Sequence, residues 1–263
     1  MRNLDSMLLG LTAEEDAADG GPGEGAGLLG GSADRDESDF FNGDKYVGDT
    51  KDGRRHGHGV YYYASGDKYS GQWAAGKQEG EGVYTYANGD RYNGHWKAGR
   101  HSGQGTYYFK SGKVFVGAYL EGMPNGFGTF LYPTGEQLEG EWRGSSHPET
   151  GVYSYANGDK YGGSWLKGKK HGHGTYYFRS GAKYQGGYRH GEPHGQAVFV
   201  TEDRKAYAEE WEDGRRVASV PIDTRTGRAM EGAGLQGRPL EGEPHAQGAG
   251  AGLDAEGGED GRR

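Results

Sequence analysis

Two pairs of histidines are the residues whose type and spacing could most directly do chemistry. His56 and His58 stand in "HGHGVYYY", and His171 and His173 stand in "HGHGTYYF". Histidines two apart on an extended strand share a face, which is how half of a zinc site is built. The two strings start 115 residues apart, five times 23. If each 23-residue step holds two strands, ten strands separate the pairs, or about 48 Å. A zinc–nitrogen bond is about 2.1 Å, so the four imidazoles cannot share one ion. The same place in the other units holds Glu79, Ser102, Asn125, Pro148 and His194, which is no ladder of ligands. The histidines are therefore expected at turns and strand entries, with no metal.

Other reactive patterns fall away in the same manner. A phosphate loop needs G-x-x-x-x-G-K-[ST] between strand and helix, and neither "SGKVF" at Ser111 nor "KGKKH" at Lys167 fits. A dinucleotide site needs a helix N-terminus, and residues 41–217 show no helical period. Asp44, Asp67, Asp90 and Asp159 recur along the chain as turn residues, not as a convergent acid–base pair. No enzyme and no cofactor is expected. Basic residues such as Lys51, Arg54 and Arg55, or Lys167, Lys169 and Lys170, fall in predicted loops at one edge. Each could add about 1 kcal/mol at an anionic surface, so weak lipid binding is the second reading.

The elements that position these residues follow from composition and repeat. Of 263 residues, 55 are glycine and 20 tyrosine, and only 32% are hydrophobic. That is too little aliphatic bulk for a helical or doubly wound core and too many aromatics for a disordered chain. Glycine with aromatics points to short strands whose small positions let rings lie on the backbone. The absence of cysteine excludes disulfides and thiol chemistry. No secretory signal and no run of about 18 apolar residues is visible, so a soluble intracellular protein is expected. Charge is uneven: residues 1–40 carry ten acids against Arg2 and Arg35, whereas 41–217 carry 20 acids against 23 Lys and Arg. An almost balanced middle is not the footprint of a nucleic-acid binder.

From Tyr46 the chain divides every 23 residues without insertion, at 46, 69, 92, 115, 138, 161 and 184. Position 3 of each unit is glycine: Gly48, Gly71, Gly94, Gly117, Gly140, Gly163 and Gly186. Position 5 is Trp73, Trp96, Tyr119, Trp142, Trp165 and Tyr188 from the second unit on, and position 16 is always aromatic. Within a unit the period is two, as in "YSGQW", and "ANGD" carries an Asn-Gly hairpin signal. Each unit is thus read as two antiparallel strands, and the whole as an all-β, single-layer twisted antiparallel meander. About fifteen strands would make a sheet roughly 70 Å long. Positions 15 and 17 leave the second face half apolar, with Val60, Tyr62, Tyr108, Leu131 and Tyr177 among them.

The unit Y-x-G-x-W-x-x-G-x-x-x-G-x-G, as in "YSGQWAAGKQEGEGVYTYANGDR" from Tyr69, resembles the MORN repeat over about 170 of the 263 residues. The strings "HGHGVYYY" and "HSGQGTYYF" are similar to radial-spoke-head MORN proteins of cilia and flagella. The resemblance implies a hairpin solenoid serving as a structural subunit of the axoneme. It implies cytoplasmic, cytoskeletal location and other axonemal or spoke proteins as partners, with a homodimer left open. The expected organisation is an acidic tail at 1–39, a repeat array at 40–217 and a Gly-rich tail at 218–263, both tails disordered. The expected protein-interaction surface is Tyr62, Trp73, Trp96, Tyr108, Tyr119, Leu131, Trp142, Trp165, Tyr177 and Tyr188, with the position-3 glycines as structural supports.

Overall fold

The computed structural model describes residues 42–230 and, by backbone alone, residues 34–39. The predicted disorder of the two tails lies mostly outside the described residues. Two kinds of turn set the strand lengths. Positions 7 and 8 of a unit form a two-residue hairpin with both φ angles positive, as at Asp52 and Gly53 (52° and 68°) and Ala98 and Gly99 (51° and 86°). This is the type I′ geometry, whose twist matches that of the flanking strands. The "ANGD" stretch does something else. Only Gly89 has positive φ there (97°), within a longer loop closed by Tyr86 N–H to Asp90 O at 2.9 Å. Asn88 keeps ordinary backbone angles and uses its side chain to bond Asp90. The expected tight Asn-Gly turn is therefore displaced to the x-Gly pair on the opposite edge.

Between these turns run seventeen strands among the described residues. They are β1 (Asp34–Asp39), β2 (Lys45–Lys51), β3 (Arg54–Tyr62), β4 (Lys68–Ala74), β5 (Lys77–Thr85) and β6 (Arg91–Lys97). Then come β7 (Arg100–Tyr108), β8 (Val114–Leu120), β9 (Met123–Leu131), β10 (Gln137–Arg143) and β11 (Thr150–Ser154). The series ends with β12 (Lys160–Leu166), β13 (Lys169–Tyr177), β14 (Lys183–Arg189), β15 (Glu192–Val200), β16 (Ala206–Glu212) and β17 (Arg215–Ile222). Every strand pairs antiparallel with the one before and the one after it, so the sheet is an all-β meander without crossovers. Seventeen strands replace the fifteen expected, because pairing runs past residues 40–217 at both ends. β1 covers the β2 edge, and β17 continues to Ile222 because β16 still carries Trp211 and needs a partner.

One face of the sheet, the ring face, is its core. Position-1 rings Tyr46, Tyr69, Tyr92, Tyr161 and Tyr184 are at most 1% exposed. Each lies over a facing pair of small residues, two glycines such as Gly71 and Gly82 or, under Tyr184, Gly186 and Ala197, and its hydroxyl donates to the position-4 carbonyl: Tyr69 to Gln72 O at 2.9 Å. A Cβ on Gly71 would stand 2.5 Å from the Gly82 Cα, so the close backbone approach at this place leaves room for glycine alone. The position-5 tryptophans close the next step, with Trp73 and Trp96 Nε1 donating to Gly59 O and Gly82 O at 3.1 Å. Rings thus supply the second layer that a one-sheet protein otherwise lacks.

The column of small residues stops at the C-terminal end. Glu209 takes the position-3 place, 4% exposed, bonded to Arg216 at 3.1 Å and to the Trp211 indole at 2.9 Å. A paired charge fills the slot in which another unit's ring would seat.

Candidate protein-interaction surface

The predicted interaction set divides between the two faces. Trp73, Trp96, Tyr119, Trp142, Trp165 and Tyr188 are only 4–6% exposed. They are core side chains, packed edge-on against position-1 rings as in Tyr69–Trp96 at 5.1 Å and 80°. Alternation assigns them a face but does not show that rings of their own and the preceding unit cover them. The other four lie on the outer face. Tyr62 and Tyr177 are 42% and 51% exposed, and Tyr108 and Leu131 are half-buried.

The ring face also holds a set that sequence reasoning missed. Outside the irregular fifth unit, position 10 pairs with position 5 across the hairpin, as Thr50 with Arg55, Trp73 with Gln78, Trp96 with His101 and Trp165 with Lys170. These polar side chains are tucked among rings. The Arg55 guanidinium lies 4.5 Å over Tyr61 and 4.6 Å over Trp73. The Lys170 ammonium lies within 6 Å of the Tyr161, Tyr176 and Tyr188 rings, and burial lowers its pKa. Arg55 and Lys170, expected as solvated loop charges at one edge, are therefore part of the ring layer. The spacing alone held the signal: a residue six before the always aromatic position 16, on the same ring-facing parity.

The aspartates join successive loops. Asp44 accepts from the Tyr61 hydroxyl and the Ala64 N–H, both at 2.7 Å, and Asp67, Asp90 and Asp159 repeat the arrangement one or more units on. The Ala64 N–H, then the Tyr61 hydroxyl, hold the Asp44 carboxyl below its usual value. Each carboxylate is thus committed to a loop. His56 and His58 point to the outer face by register, while no group of three or more candidate ligands occurs among the described residues.

On the outer face, position 23 of one unit and position 17 of the next form a continuous cross-strand row. It reads Lys45, Tyr62, Lys68, Thr85, Arg91, Tyr108, Val114 and Leu131 over β2 to β9. Lys68 lies 5.4 Å over Tyr62 and Arg91 lies 4.5 Å over Tyr108. Exposed apolar side chains concentrate nearby in the fourth unit: Leu120 at 54%, Met123 at 55% and Phe127 at 80%.

No curated protein matches the chain. Among solved structures, the wild-type TCP10 domain of Danio rerio CPAP is 13% identical, over 71% of this chain and 88% of that one, at a TM-score of 0.45. The SAS-4 (dCPAP) TCP domain of Drosophila melanogaster, solved with a proline-rich motif of Ana2 (dSTIL), is 11% identical over 71% and 97%, at 0.41. Residues 46–68, 69–91, 92–114, 115–137, 150–160, 161–183 and 184–204 each match the MORN repeat. The gap at 138–149 coincides with the irregular fifth unit, where Pro148 packs on Gly140 and β11 is only five residues long. With seven matches in the 23-residue register and more than half of the chain covered, this protein belongs to the MORN repeat family.

Proposed function

We propose that the chain is a non-enzymatic scaffold that binds other proteins through its sheet, as a subunit of the ciliary or flagellar axoneme such as the radial spoke head. The observation that carries the binding reading is the contrast between the faces. One is closed by its own rings, and the other leaves Tyr62, Tyr177 and the large side chains of the fourth unit exposed in a one-layer sheet. Apolar groups grouped in this way mark interaction surfaces. The axonemal assignment, with its cytoskeletal location and spoke or microtubule-associated partners, is supported by the resemblance of the "HGHGVYYY" and "HSGQGTYYF" units to spoke-head relatives.

Tagged protein in ciliated cells tests both parts. The expected result is retention in detergent-extracted axonemes, release only at high salt, and cross-links to a defined set of axonemal proteins. Recovery in the detergent-soluble membrane fraction overturns the axonemal reading and favours an adaptor on an anionic membrane. Two of the basic residues that would serve such an adaptor, Arg55 and Lys170, lie in the ring layer. Self cross-links at one patch would identify a homodimer.

A further inference from the structure

The outer face carries a surface more specific than a general exposed sheet. Its first part is the row of Lys45, Lys68 and Arg91 on every second strand, β2, β4 and β6. Strand spacing puts neighbouring cations about 9.6 Å apart. Tyr62 and Tyr108 lie between or beside them and carry the Lys68 and Arg91 cations on their rings. No carboxylate lies within ion-pair distance of Lys68 or Arg91 among the described residues. The Tyr108 hydroxyl is buried and makes no hydrogen bond.

The second part is an apolar band running along β8 and β9 at right angles to the row. It starts at Val114 and Leu131, which the row reaches after Tyr108, and continues through Val116 to Phe127, Leu120 and Met123. Positions 6, 9 and 13 carry these last three side chains. In the first unit the same places hold Lys51, Arg54 and His58, and in the third Lys97, Arg100 and Gln104. Only the fourth unit has apolar side chains at all three. Phe127, at 80%, is exposed far beyond what a ring on a folded sheet needs to be.

We propose that this L-shaped surface docks an acidic protein segment that carries an apolar anchor. Carboxylates three residues apart in a polyproline II segment, about 9.3 Å along one side of it, sit on Lys68 and Arg91, and an aliphatic or aromatic side chain beyond them packs on Phe127. The idea rests on the scaffold reading and names the chemistry of its partner. The rest of the outer face argues for a linear segment. Asp49, Glu79 and Glu81 stand at the far ends of β2 to β5, and Glu139 and Glu141 stand on β10. An anionic membrane or a nucleic-acid duplex laid over the face would bring negative charge against them. A segment confined to the row avoids them, and the band fits an apolar side chain rather than a sugar–phosphate chain.

The test uses the full chain and fluorescence anisotropy with a labelled synthetic peptide, glutamate at every third position followed by Leu-Leu-Phe. Parallel arms use the peptide with Gln for Glu, the peptide with Ser for the anchor, a U-rich 12-nucleotide RNA, and phosphatidylserine–phosphatidylcholine vesicles. The expected result is salt-sensitive binding of the first peptide and loss of about tenfold or more in either control. Lys68→Glu with Arg91→Glu should cost about tenfold or more, and Phe127→Ser several-fold, with unchanged circular dichroism and melting. Lys68 and Phe127 are exposed and Arg91 is half-buried on the Tyr108 ring, so the melting measurement separates lost binding from lost folding. Peptide affinity that ignores these substitutions overturns the proposal. So does binding of RNA or vesicles that exceeds peptide binding and is lost in the same variants. The two readings fail separately: axonemal cross-links that map to other surfaces leave the scaffold reading standing while this docking site falls.

Discussion

His101 takes the tenth place of the third unit, stacked on Tyr92 with ring centroids 3.7 Å apart and bordered by Trp96 and Tyr119. Its Nε2 lies 3.3 Å from the Tyr86 hydroxyl, and the other groups facing it are the rings of Tyr92, Tyr107 and Tyr119, none of them charged. Burial in this aromatic setting drives its pKa down to about 4, with hydrogen bonding to the Gly122 backbone opposing only in part. His147, lodged between Trp142 and Trp165, is lowered by burial as well. The sign follows from linkage. Above pH 6.5 the folded and unfolded histidines are both neutral. As pH falls from 6.5 towards 4 the unfolded chain takes up a proton that the folded His101 refuses, so stability declines across that window. The loss should be of order 2 kcal/mol. His101→Gln should flatten the decline, because Gln78 at the same place one unit earlier bonds the Tyr63 hydroxyl at 2.9 Å. Urea unfolding at pH 7.5 and pH 4.5 measures it; an equal pH dependence in both proteins would show that His101 is not the titrating group.

At the scale of the element, the hairpin at Ala98 and Gly99 shows what determines strand connection. Both residues have positive φ, yet alanine pays a steric cost there that asparagine largely escapes. Ala98→Asn should raise the unfolding free energy by about 0.5–1 kcal/mol, and Gly99→Ala should lower it by about 1 kcal/mol. Thermal melts of the two variants moving in the same direction would refute this turn assignment. The first residue of this turn varies through Asp52, Ala75, Ala98, Glu121, Lys167, His190 and Asp213, which is why it left no mark in the sequence. The meander itself was legible, since Gly71 and Tyr84 recur at fixed places and alternation assigns their faces. The position-10 side chains were not, because Arg55, Gln78 and His101 share no chemistry, only a register that pairing reveals. For the same reason Trp73 reads as surface from its own strand and as core once Tyr46 and Tyr69 are seen to pack against it, at 5.6 and 5.1 Å.

At the scale of the whole array, all the extensive contacts are between strands adjacent in sequence. Stability in such a chain is a sum of local terms rather than one long-range core. Gly117 lies at the middle of the sheet, where an added Cβ would stand 2.7 Å from the Gly128 Cα and 2.9 Å from the Phe115 ring. Gly117→Val should therefore cost about 2–4 kcal/mol, by the overpacking that a closed core resists. The damage should stay near its origin. Hydrogen exchange should show protection lost across β7 to β10 and kept in β2 to β4 and β14 to β17, because those strands reach Gly117 only through several independent hairpins. The same lesion should weaken any ligand held at Phe127 on β9 while sparing contacts made at Tyr177 on β13. A uniform loss of protection over all seventeen strands would mean that the ring layer transmits strain along the array. In that case a partner docked at one unit could alter binding at another many strands away, which a sum of local terms forbids.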